Sequence, residues 1–90
     1  MPEPAHVRLP GPLLALFPGA DSRFETQATS VGALMDEIEA RWPGMRDRLC
    51  DSTPQVRRHI NVFVNGVRRK LADAIPPGAD VFVLTAISGG

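Results

Sequence analysis

The chain has 90 residues, room for one domain (1–90) with one modest core that buries about 64% of the open-chain surface. Ten Lys and Arg against ten Asp and Glu leave no net charge, and there is one cysteine; the balance gives no reason to expect a nucleic-acid partner, and an intrachain disulfide or cysteine-rich metal site is excluded. No apolar run approaches the ~20 residues that span a bilayer, and the first six residues lack the basic start and apolar block of a signal peptide, so no membrane partner and a cytoplasmic location are expected.

Residues 1–5 hold two prolines and read as a loose tail. Val7, Arg8 and Leu9 suggest a short strand, broken by Pro10-Gly11-Pro12. Residues 13–17, with Leu13, Leu14, Leu16 and Phe17, read as a second strand or as the first one continuing after a turn. Phe24, Thr26 and Ala28 alternate with Arg23, Glu25 and Gln27, which predicts an extended segment.

Val31, Leu34, Met35, Ile38 and Trp42 recur at spacings of three and four. They form one apolar stripe and predict the main helix. Asp36, Glu37 and Glu39 fall on its other face and read as solvated. Thr29 or Ser30 is placed to cap the first turn, and Pro43-Gly44 ends the helix. Residues 45–49 suggest a further helical turn, and residues 51–54 a loop.

Residues 59–66, His-Ile-Asn-Val-Phe-Val-Asn-Gly, form the strongest strand signal. Asn65-Gly66 predicts a tight hairpin, because both residues accept positive φ. Residues 68–71 read as the returning arm, residues 76–80 as a turn, and residues 81–86 as the last strand. Strands, one long helix, then strands predict an α+β fold: a mixed four- to five-stranded sheet with the helix packed across one face.

One sheet face packs on the helix and the other is open. If Val62, Val64, Val81 and Val83 point inward, then Phe63, Phe82 and Leu84 lie on the open face, where an apolar patch marks a partner-binding site. The reverse assignment, with the aromatics in the core, fits the alternation equally. Arg57-Arg58 and Arg68-Arg69-Lys70 read as solvated charge, with docking on an acidic partner surface or weak nucleic-acid contact as the functional alternative. His6 and His59 have no carboxylate at ligand spacing, and Cys50 reads as a partly buried small hydrophobe. No side chain is assigned a catalytic role and no metal site is expected.

The chain ends in Ile87-Ser88-Gly89-Gly90, straight after the last strand. With the Val62-Phe63-Val64-Asn65-Gly66 strand and turn, the Pro77-Gly78-Ala79-Asp80 turn and the helix spacing, this end resembles the ubiquitin-like sulfur carriers of the ThiS/MoaD type. They include the small subunit of molybdopterin synthase, the thiazole-pathway carrier and the carrier of a cysteine pathway. Thr85 departs from the pattern, where many members carry proline.

The resemblance implies the β-grasp fold, a flexible tail at residues 87–90, and chemistry at the Gly90 carboxylate. A separate adenylyltransferase, similar to ubiquitin-activating enzymes, would join that carboxylate to AMP from ATP. Sulfur would then replace AMP to give a thiocarboxylate, delivered to a sulfur-accepting biosynthetic enzyme. On this reading the protein is a co-substrate, binds no cofactor itself, and offers Gly89 and Gly90 as the carrier terminus, with Ser88 and Ile87 beside them in the partner. The pathway is left open among cysteine, molybdopterin, thiamine and a sulfur-containing metabolite. The alternatives are the small subunit of molybdopterin synthase specifically, a β-grasp binding module without sulfur chemistry, and conjugation of Gly90 to proteins.

Overall fold

The computed structural model describes residues 3–50, 56–57 and 59–85. Strand β1 (Ala5–Arg8) alternates buried and exposed side chains, as a half-buried strand must. It begins inside the segment read as a loose tail: Ala5 is 2% exposed, and the Glu3 carbonyl accepts a hydrogen bond from the Gly78 N–H at 3.1 Å.

The next element corrects the sequence reading. Residues 13–17 are not a strand; α1 spans Gly11–Leu16. The physical reason is visible in the residues. Leu-Leu-Ala-Leu are strong helix formers without a β-branched member. Pro12 sits in the first turn, where its missing N–H costs nothing. Leu13 is buried on one side of α1, while Leu16 is 56% exposed on the other.

Strand β2 (Arg23–Thr26) pairs antiparallel with β1. Helix α2 (Val31–Arg41) follows, with Ser30 as its cap: the Oγ accepts from the Ala33 N–H at 3.1 Å. Val31, Leu34, Met35 and Ile38 are fully buried. The start of α2 is pinned to the loop before β5, where Val31 N–H donates to the Asp73 carbonyl and Gly32 N–H to the Leu71 carbonyl. A Cβ on Gly32 would come within 3.2 Å of that Leu71 oxygen, a tight contact that favours glycine at this close approach.

Gly44, with φ of 95°, turns the chain into α3 (Met45–Leu49). Two carboxylates read as solvated prove structural. Glu39 accepts from the N–H groups of Gly44 and Arg46 and caps α3. Glu37 accepts from the buried Thr26 hydroxyl at 2.7 Å and pairs with Arg41 at 2.8 Å. Arg41 in turn lies 4.6 Å from the Phe24 ring centroid, and Phe24 meets Trp42 edge-on at 5.3 Å. This clasp fastens the edge strand β2 to α2.

Strand β3 (Ile60–Val64) and β4 (Val67–Arg69) form the expected hairpin. Asn65 (φ 51°) and Gly66 (φ 82°) both take positive φ, the twist that a two-residue loop between antiparallel strands needs. Strand β5 (Asp80–Thr85) runs between β1 and β3, parallel to the first and antiparallel to the second. The sheet order is β2-β1-β5-β3-β4. Val7, Val62, Val81 and Val83 meet α2 and α3 in one core with Leu34, Met35, Ile38, Met45 and Leu49. No helix among the described residues is long and apolar enough to cross a membrane.

Candidate docking face and carrier terminus

Burial decides which side chains of β3 and β5 face away from the helices. Val62, Val64, Val81 and Val83 are buried under the helices. Their neighbours therefore point to the open side: Phe63 and Phe82 are half-buried there, and Leu84 is 45% exposed. Phe63 and Phe82 are direct cross-strand partners, and Asn61 faces Leu84 one pair further on. The Arg8 guanidinium lies over the Phe82 ring, 5.1 Å from its centroid. The open face thus has an aromatic centre with a cation stacked on it.

The end of β5 sets where the terminus leaves. Thr85 pairs with Ile60, so the central strand stays in the ladder to its last described residue. Leu84 is then the open-face residue nearest to that exit. Ile87, Ser88, Gly89 and Gly90 lie outside the described residues, as do Ala86, Arg58 and the expected 51–54 loop.

The remaining residues singled out in the sequence take structural positions. Arg57 Nε donates to the Asp47 carbonyl at 2.7 Å and ties down the approach to β3. Arg68 and Arg69 stand on the exposed edge strand β4, where charge discourages pairing with another chain. His6 and His59 are exposed. Cys50 is 3% exposed at the end of α3. Among the described residues no group of three or more His, Cys, Asp and Glu could hold a metal ion. The sequence reading did not single out Arg8 or Arg23, both on the open face; only their odd position in alternating strands signals it.

No protein-family model matches the chain. Sulfur carrier protein CysO of Mycobacterium bovis and of Mycobacterium tuberculosis is 35% identical over 78 residues, which cover 80% of this chain and 84% of the relative. Among solved structures, a chain of the Amycolatopsis orientalis BexX/CysO complex superposes with a TM-score of 0.83 at 27% identity, covering 96% of this chain and 99% of that one. Mycobacterium tuberculosis CysO gives 0.80 at 27% identity, covering 92% and 99%. Small archaeal modifier protein 1 of Haloferax volcanii gives 0.76 at 18% identity, covering 94% and 99%, and shows the fold alone.

The strand order, the helix across one face and these neighbours define a β-grasp protein of the ubiquitin-like class. Within that class, the chain belongs to the sulfur carrier protein family.

Proposed function

We propose that this protein carries sulfur as a thiocarboxylate on Gly90, loaded by a separate ATP-dependent activating enzyme. The observation that carries the reading is the 35% identity to sulfur carrier protein CysO across 80% of the chain, joined to the Ser88-Gly89-Gly90 end. The BexX/CysO complex supports a role performed against a partner.

The chemistry follows from the terminal carboxylate. Its ordinary pKa of about 3.3–3.7 leaves it ionised at neutral pH. It is then a nucleophile toward phosphorus and a poor electrophile. One carboxylate oxygen attacks the α-phosphorus of ATP, and pyrophosphate leaves. Hydrosulfide then attacks the acyl carbon, the bond to AMP breaks, and the thiol proton is lost to give the thiocarboxylate. The sulfur passes to an acceptor enzyme. No side chain of this chain takes part in bond making. Gly89 lets the backbone lie close against the partner's channel, where a Cβ would collide.

Incubation with ATP, sulfide and the activating enzyme of the same genome tests the reading by intact mass. Replacement of O by S raises the mass by ~16 Da. No ATP-dependent shift, with an enzyme shown to be active on another carrier, contradicts it.

A further inference from the structure

We propose that the cleft between the end of α1, α3 and the approach to β3 binds a small phosphomonoester with an apolar or aromatic body. The cleft encloses about 650 Å³, within the range of small-molecule sites. Leu16 and Phe17 line it from the end of α1, Asp47 and Arg48 from α3, and Arg57 and His59 from the approach to β3. None of these six residues belongs to a strand, so the cleft is separate from the open sheet face. His59 precedes Ile60, the partner of Thr85, which places the cleft at the end of the sheet from which the terminus leaves. It binds its ligand whether or not that terminus carries sulfur.

Arg57 is set in place before any ligand arrives. Its N–H donates to the Leu49 carbonyl at 2.8 Å, its carbonyl accepts from the Ile60 N–H at 2.9 Å, and its Nε donates to the Asp47 carbonyl at 2.7 Å. Its two Nη groups have no partner among the described residues, and a guanidinium already held at Nε loses little freedom when it takes an anion. Arg48 has neither a hydrogen bond nor an ion pair there; the ion pairs of the described residues are Arg41 with Glu37 and Arg46 with Asp36. The Asp47 carboxylate also borders the cleft but pairs with neither arginine. Two guanidiniums and an imidazole therefore stand against one carboxylate. A phosphomonoester brings a charge of about −1.5 to −2 and three acceptor oxygens, enough to engage both arginines, whereas a carboxylate has one charge and two oxygens.

The apolar part of the cleft argues for an ester over a bare anion. Leu16 is 56% exposed, the most exposed large hydrophobic side chain among the described residues. Phe17 is half-buried beside it, with its ring edge 3.6 Å from where a Cβ on Gly44 would stand. An inorganic anion on the arginines leaves both side chains in water. An organic body joined to the phosphate covers them, and burial of that apolar surface adds affinity.

The test is an amide NMR titration of the full chain with inorganic phosphate, phenyl phosphate and AMP at constant ionic strength. All three should give saturable shifts at Leu16, Phe17, Arg48, Arg57 and His59, and phenyl phosphate should bind at least about 3-fold more tightly than inorganic phosphate. Tighter binding of AMP than of phenyl phosphate assigns the site to nucleotides, and weaker binding assigns it to smaller esters; both support it. Arg48→Gln, at an exposed residue that the fold does not use, should weaken phenyl phosphate about 10-fold. Leu16→Ser should weaken phenyl phosphate about 3-fold and leave inorganic phosphate unchanged. Both variants should keep the wild-type melting temperature. No saturable shift by about 10 mM phenyl phosphate, equal shifts with sodium chloride, shifts centred on Arg8 and Arg23 of the open face, or wild-type affinity in Arg48→Gln would each overturn the site and leave the carrier reading intact.

Discussion

The two faces of the sheet come from alternate residues of the same strands, yet they are chemically opposed. On the covered face, Val62, Val64, Val81 and Val83 are shut away under α2 and α3. Beside that core the charged groups are bound into the fold. Glu37 joins Thr26 and Arg41, and Glu39 caps α3. On the open face, Phe63, Phe82 and Leu84 keep solvent access, and Arg8, Arg23 and Arg68 have no ion-pair partner among the described residues. Folding ties the polar groups of one side into hydrogen bonds and ion pairs and leaves the arginines of the other outside the ion pairs of the described residues. A substitution should therefore change stability on the first side and partner traffic on the second.

The sharpest way to break this contrast is a cavity under the sheet. Ile38→Ala, at a fully buried position of α2, should cost about 2–5 kcal/mol. In a domain of this size that lowers the melting temperature by at least ~8 °C, read by circular dichroism. A drop of a degree or two would mean that the core is not where the contacts place it. Glu39→Ala removes the carboxylate that accepts from Gly44 and Arg46. It should cost about 1 kcal/mol, as loss of a helix cap does. Thr26→Val, which leaves Glu37 without its hydroxyl donor, should cost a similar amount, about 0.5–1.5 kcal/mol. A neutral outcome for Glu39→Ala would mean that the cap on α3 adds nothing, and one for Thr26→Val would say the same of the clasp between β2 and α2. The smallest effect belongs to the open face: Leu84→Ser, at a half-exposed position, should stay within about 0.5–1 kcal/mol of wild type while slowing charging.

Much of this was legible in the sequence because it depends on periods and on local turn chemistry. The stripe from Val31 to Ile38 could bury only as a helix, and Asn65-Gly66 could close only a tight hairpin. Ser30, one of the two residues placed to cap α2, does so. What was hidden depends on tertiary partners. Residues 13–17 are apolar without a clear period, so their helix is decided by Pro12 and by what Leu13 packs against. Glu37 and Glu39 lie where a solvated face is expected, and only the arrival of β2 and α3 gives them donors. Which residues share the open face is invisible in the chain because five strands must align before they meet. The inward direction of the valines, left open by alternation alone, was settled by the helices covering that side.

Gly90 itself offers the most direct test. Wild type and a variant lacking Gly89 and Gly90 should be incubated side by side with ATP, sulfide and the activating enzyme, then weighed intact. Carriage at the terminus predicts a gain of ~16 Da in the wild type and none in the truncated chain. An equal gain in both, or none in either with an enzyme that charges another carrier, would contradict it.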